Sequence, residues 1–334
     1  MKISRRQFVK AMAAMSAASM LAACGGSSGN GSSGGKKALT FQIWDVAQKE
    51  GMEAMCAAYT QQHPEVSIEV QVTSWNEYWT KLEAAATSNQ MPDIFWMHTN
   101  ELLKYADNGM LADCTDIVEK DKFSEVSLSN AMGSNGTLYA VPKDKDTVGL
   151  VYNKEMFDAA GVAYPDENWT WDDLVSASDK IYAATGKYGY MAYADDQLGY
   201  WNFVYQAGGY ILNEDKTKAG FTQPATEKAM KFYIGLQQND WCPDQTYFAE
   251  TAPGTAFFSE KGAMFLEGDW NILAELQNYP EMVGKWDVAV LPKCPDPESG
   301  DGRATISNGL CYATAASNKN LDTVKDILKF FGSE

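Results

Sequence analysis

Two alternating runs with a helical run between them constrain this chain most. LTFQIW (residues 39–44) places Leu39, Phe41 and Ile43 on one side and Thr40 and Gln42 on the other, the period of a strand. Met52, Met55, Cys56 and Tyr59 then recur at helical spacing, and VSIEVQV (residues 66–72) alternates again. Strand, helix and strand at this spacing form a βαβ unit, which requires a parallel sheet covered by helices.

The pattern continues along the chain. A helix runs through Trp79, Leu82 and Ala86, a short buried strand is IFWM (residues 94–97), and the helix of ELLKYADNG is stopped by Gly109. VGLVYN (residues 148–153) reads as a strand, and the helix of KEMFDAAG ends at Gly161. Thr170 with Asp173 gives a capping-box pattern ahead of Leu174, Ala177, Ile181 and Tyr182. Helices are also predicted over residues 201–207, over 224–237 and after Gly268. VAVLP (residues 288–292) and LCYATA read as late strands, and Leu321, Val324, Ile327, Leu328 and Phe331 line a last amphipathic helix. The fold class is therefore α/β. The length exceeds that of one ordinary core, so two domains are expected. No repeat and no linker-like stretch separates the halves, which predicts strands crossing between two lobes.

The N-terminus carries an address. SRRQFVK (residues 4–10) precedes an apolar stretch, residues 11–23, of about thirteen residues, short of the roughly twenty that span a bilayer. A basic head, a short apolar middle and small residues describe a secretory signal, and the paired arginines point to twin-arginine export. Leu21, Ala22, Ala23 and Cys24 resemble a bacterial lipobox, in which the cysteine is lipidated; a cleaved signal with a chance cysteine is the alternative. GGSSGNGSSGGKK (residues 25–37) then has almost nothing to bury and suits a flexible tether.

Charge and cysteine usage narrow the function classes. Cleavage before Cys24 removes Lys2, Arg5, Arg6 and Lys10 and no acid, making a net charge of −17 four more negative. Such a surface repels phosphates, so no nucleic acid partner is expected, and a soluble, extracytoplasmic body is. Beyond Cys24, Cys56, Cys114, Cys242, Cys294 and Cys311 are odd in number and none forms a C-x-x-C pair, so buried free thiols are expected. The histidines are His63 and His98, without an H-E-x-x-H, so neither a metal nor a cofactor is indicated.

ALTFQIWD, PDIFWM, NGMLADCT, LYAVPKDKDTVGLVYNKEMFDAAGV, WTWDDL, YQAGGYI, KGAMFLEGDW, VAVLPK and SNGLCYATAASNKN, in that order, resemble the extracellular sugar-binding proteins of ABC importers, the family of the maltose-binding protein. The likeness runs from about Leu39 to the last residue. It implies a periplasmic-binding-protein-like fold of two α/β lobes closing on a ligand in the cleft between them. The organisation expected is a signal at 1–23, lipidated Cys24 and tether at 24–38, lobe one at 39–146, lobe two at 147–287 and a return to lobe one at 288–334. The chain stops at FFGSE, where the family pattern continues through a third crossing into helices of lobe two.

A sugar needs aromatic platforms for its C–H face and Asp, Asn or Gln for its hydroxyls. In α/β lobes ligands gather at the carboxyl ends of parallel strands. Trp44, Asp45 and Gln48 follow the first strand, and Trp96, Thr99 and Asn100 lie at or after IFWM. For Trp44 and Trp96, core packing is the alternative role. The resemblance adds Asp146, the acid of the first crossing, and Trp201 and Trp270 as stacking aromatics; it also supports Trp96, Thr99 and Asn100. Asp269, beside Trp270, suits capping a helix while facing a hydroxyl. Thr99 and Asn100 replace the family's charged contacts, so its sugar preference does not carry over. His98 is read as a structural hydrogen-bonding group.

The expected function is a non-enzymatic one: a membrane-tethered, monomeric binding protein that captures a carbohydrate and delivers it to an ABC permease. The alternatives are a secreted glycosidase working through two carboxylates, for which no acid/base motif is recognisable, and a peptide- or polyamine-binding protein on a similar scaffold, for which DKDT and ADD supply some acid.

Overall fold

The computed structural model describes residues 36–213 and 217–333. The signal, Cys24 and most of the tether lie outside these residues. Among the described residues, ten strands form two sheets: β1 (Lys37–Ile43), β2 (Val66–Val72), β3 (Ile94–His98), β4 (Val141–Pro142), β5 (Asp146–Asn153), β6 (Tyr188–Tyr190), β7 (Gly262–Gly268), β8 (Trp286–Ala289), β9 (Ser307–Asn308) and β10 (Leu310–Ala313).

The first sheet has the order β2-β1-β3-β10-β4. Here β1 runs parallel to β2 and β3, as the opening pattern requires, while β10 is antiparallel to β3 and β4. The helices Lys49–Gln62, Trp75–Thr87 and Leu321–Phe331 cover it, and Phe41, Leu82, Val324 and Phe331 share its core. β1 begins at Lys37, inside the expected tether, because Lys37 N–H donates to Glu65 C=O (2.7 Å) and extends the ladder opposite Val66.

The second sheet has the order β6-β7-β5-β8; its central strand β7 and most of β5 are buried on both faces, while the edge strand β8 is partly exposed. The two-residue period of β5 sends Val148, Leu150 and Tyr152 into one core and Val151 into another, with Phe257 and Phe265. Burying one such phenylalanine contributes about 1.5–3 kcal/mol. The helix Trp171–Thr185 covers the first of these faces. It starts at a capping box in which Thr170 N–H donates to Asp173 Oδ2 (2.9 Å), and it ends at Gly186 in the left-handed region.

One boundary moves. VAVLP was expected to open the return to lobe one at residue 288, but β8 pairs antiparallel with β5, Val288 opposite Val151. Leu291, Cys294 and Ile306 also belong to the second lobe's core. The return comes at β9 and β10. Asp146 pairs with Asn308 and Thr147 with Ser307, so the outgoing and returning strands cross between the sheets side by side. Lys143 N–H donates to Leu310 C=O (2.8 Å) and Leu310 N–H to Asp144 Oδ1 (2.9 Å), tying the two crossings together.

Cys56, Cys114, Cys242, Cys294 and Cys311 are free and buried, as expected. Burial pushes the Cys56 and Cys114 thiols up to about 12. Among the described residues no helix is long and apolar enough to cross a membrane.

Candidate functional site

A cavity of about 330 Å³ lies at the junction of the two lobes. Its walls come from the segments just past the carboxyl ends of β1 and β2, from the carboxyl end of β3, from the crossings, and from two irregular segments of the second lobe.

On the first-lobe side, Trp44, Asp45 and Gln48 line the cavity, with Trp75 and His98. Trp44 is set in an aromatic block. Its ring centroid lies 4.9 Å from that of Tyr78 and 5.1 Å from those of Trp75 and Trp96, all edge-on, and 5.7 Å from that of Trp79. Tyr78 Oη–H donates to Trp96 C=O (2.6 Å), fixing the back of the block to β3. Asp45 holds its own turn by accepting from Ala47 N–H (2.8 Å) and Gln48 Nε2 (2.9 Å). His98 has two roles: its Nδ1 accepts from Asn100 N–H (3.2 Å) as the cap of the helix Thr99–Ala106, and its ring borders the cavity. Burial pushes it down to about 4, so it is neutral at pH 7.

Trp96 requires a correction. It is 0 % exposed, in a strand buried along its whole length, and it supports Trp44 from behind instead of facing the cavity. Thr99 and Asn100 do not line the cavity either. Thr99 N–H is drawn to Gly309 C=O (3.3 Å) and Asn100 is exposed at the start of the helix.

The crossings contribute Asp146, Asn308 and Leu310. Burial, then the negative charges of Asp144 and Asp269, push the Asp146 carboxyl up to about 7, against the opposing pull of Lys143. Lys143 is itself engaged, pairing with Asp144 and donating to Gln48 Oε1 (2.9 Å).

On the second-lobe side the chain makes a π-helical turn, Asp196–Tyr200, in which Gly199 adopts φ −147°, ψ −122°. Asp195 caps this turn through Leu198 N–H (2.7 Å), and Asp195, Gln197 and Leu198 face the cavity. Asn202, fully buried, donates to Gln197 C=O (2.7 Å) and accepts from Ile306 N–H (2.9 Å), fastening the turn to the returning crossing. Gln197 Oε1 accepts from Asn308 Nδ2, joining lobe two to the same crossing by side chains.

The second segment follows β7 and carries Trp270 and Asn271. Trp270 folds back over Gly268: a Cβ there would stand 2.3 Å from the indole ring, so Gly268 is needed for this close approach. Asp269 is exposed and lies outside the cavity lining, its Oδ1 accepting from Thr147 N–H (3.2 Å). Trp201 likewise falls outside the lining; it packs against the second core with its Nε1 buried and without a partner.

Sequence reasoning thus brought Trp44, Asp45, Gln48, Asp146 and Trp270 to the cavity and missed residues of two kinds. Trp75 follows β2 just as Trp44 follows β1, so the strand-end rule could have found it. Gln197 and Asn308 depend on the irregular turn and the late return, which leave no periodic signal, and Asp195 enters the sequence reading only as an acid of ADD under the polyamine alternative.

Aromatic faces opposed by amide and carboxylate groups suit a polyhydroxylated or amine-bearing small molecule. Among the described residues no cluster of His, Cys, Asp and Glu is arranged to hold a metal ion.

The model of the bacterial extracellular solute-binding protein family matches residues 44–334. An arabinooligosaccharide-binding protein of Bacillus subtilis is 26% identical over 333 residues, covering 94% of this chain and 73% of that one. A lactose-binding protein of Rhizobium radiobacter is 25% identical over 304 residues, 86% of this chain and 70% of that one. An ABC substrate-binding protein from Listeria monocytogenes, solved in complex with cycloalternan, superposes with a TM-score of 0.77 at 24% identity, over 89% of this chain and 75% of that one. The likeness in fold includes the two-lobed architecture. The chain belongs to the bacterial extracellular solute-binding protein family.

Proposed function

We propose that this protein captures a sugar or short oligosaccharide between its lobes and delivers it to an ABC importer. The observation that carries this reading is the cavity at the lobe junction, with Trp44 and Trp75 on one wall, Trp270, Gln197 and Asn271 on the other, and Asp146 and Asn308 of the crossings between them. Indole faces pack on sugar C–H groups while carboxylates and amides pair hydroxyls. The relatives named for arabinooligosaccharide and lactose support a saccharide over a peptide or polyamine.

Binding is the whole of the chemistry. Contacts made by both walls at once exist only when the lobes are together, so the ligand shifts the population toward the closed form by its differential affinity. The importer then receives the closed protein. Cys24, preceded by Leu21, Ala22 and Ala23, would be lipidated and hold a monomeric protein at the outer face of the cell membrane through the tether.

A thermal-shift screen against saccharides, peptides and polyamines tests this. A ligand bound only by the native state raises the melting midpoint progressively with its concentration, logarithmically once the ligand is well above its Kd. A graded rise with one saccharide class is expected. A rise with spermidine or peptides alone would overturn the saccharide reading, and release of reducing sugar by the purified protein would revive a hydrolase.

A further inference from the structure

The charges around the cavity are one-sided. Among the described residues its lining includes Asp45, Asp146 and Asp195 and no lysine or arginine, and His98 is held neutral by its burial. The three carboxylates differ in what they already do. Asp45 accepts two hydrogen bonds within its own turn, and Asp195 caps the π-helical turn. Among the described residues the Asp146 carboxyl group has no hydrogen-bond or ion-pair partner; its pairing with Asn308 is through the backbone. Lys143, the cation whose charge reaches it, is held by Asp144 and Gln48 with its ammonium 4.8 Å from the centroid of the buried Trp96 ring.

A half-buried carboxylate without a partner is costly unless its charge is compensated. A ligand hydroxyl would give Asp146 a hydrogen bond and leave the charge of the group uncompensated. An ammonium would supply both, and the indole faces of Trp44, Trp75 and Trp270 attract the same group. A ligand carboxylate or phosphate would instead add like charge to the cavity.

Resting on the saccharide reading above, we infer that the cleft prefers a saccharide carrying a free amino group, its ammonium held by Asp146 within the tryptophan-lined cavity, and that it rejects acidic sugars. The groups acting on Asp146 favour this. Asp144 on the outgoing crossing and Asp269 after β7 raise its proton affinity, Lys143 opposes them, Asn308 is its neutral partner across the ladder, and Asp195 and His98 also line the cavity. Because Asp146 is pushed up to about 7, a bound cation would displace its proton near neutrality.

Calorimetric titration of the full chain at pH 7 and low salt tests the inference with matched series: glucose, glucosamine and glucuronate; the galactose equivalents; and cellobiose beside its fully deacetylated amino counterpart, the glucosamine dimer. At least one amino sugar is expected to bind tenfold or more tightly than its hydroxyl partner, releasing protons to the buffer, while the uronates give no signal. Asp146→Asn should reduce that ratio to within threefold, and Asp179→Asn, on the exposed face of the helix Trp171–Thr185, should leave the ratio in place. Neutral sugars binding as tightly as their amino partners in every pair would overturn the amine preference and leave the saccharide reading standing. An unchanged ratio in Asp146→Asn would overturn the role of Asp146. No binding of any saccharide, whatever its charge, to a cooperatively melting protein would overturn both readings.

Discussion

The two walls of the cleft are built differently. The first-lobe wall is a block of packed rings: Trp44 is held by Trp75, Tyr78, Trp79 and the fully buried Trp96. The second-lobe wall has little such backing. It is shaped by an irregular turn pinned by Asn202 and by a tryptophan laid over a glycine. One wall takes its form from side-chain packing and should resist deformation as a core does. The other takes its form from backbone geometry and a few hydrogen bonds, so single changes there should alter binding more than folding.

The sharpest way to break this contrast is at its extremes. Trp96→Ala removes the support beneath Trp44 and should destabilise the protein by about 3–5 kcal/mol in urea unfolding, with binding lost through the fold. A small loss would mean that the first wall is not a packed block. Trp270→Ala should do the reverse, weakening saccharide affinity by about 1–3 kcal/mol while stability changes by under about 1 kcal/mol. Gly268→Ala should mimic it, because the added methyl displaces the Trp270 ring; full affinity in that variant would show that the ring's position is not needed.

A smaller effect distinguishes the walls by pH. Behind Asn271, Glu267 accepts from Gly268 N–H (2.8 Å) and Asn271 Nδ2 (2.9 Å), and Glu275 has a buried oxygen without a partner. Burial, then the charge of Glu267, push Glu275 up to about 9. A carboxyl whose pKa is raised by folding stabilises fully below its unfolded value, near 4.5, and that contribution is lost as pH rises through about 9. The melting midpoint should therefore fall between pH 5 and 9, and Glu275→Gln should flatten the fall. The raised Asp146 adds in the same direction up to about pH 7. An identical slope in the variant would remove the buried acid from the second wall's account.

Much of the fold could be read from periodicity. The parallel β1-β2 pair, the capping box at Thr170 and the last helix follow directly from spacing. Trp96 was harder because β3 is buried on both faces, so no alternation reveals which side chains look outward. VAVLP misled for a related reason: a short apolar run fits either sheet, and only its pairing with β5 assigns it. At the site, residues just past regular strands were visible, whereas Asp195 and Gln197 are placed by Gly199 and by bonds spanning about a hundred residues, which no local pattern encodes.

The central claim is that both walls grip one saccharide. Small-angle X-ray scattering of the protein with and without the saccharide that gives the largest thermal shift tests it most directly. A smaller radius of gyration at saturation, lost in Trp270→Ala at the same saccharide concentration, is the predicted result. An unchanged radius at demonstrated saturation would contradict closure of the two walls on the ligand.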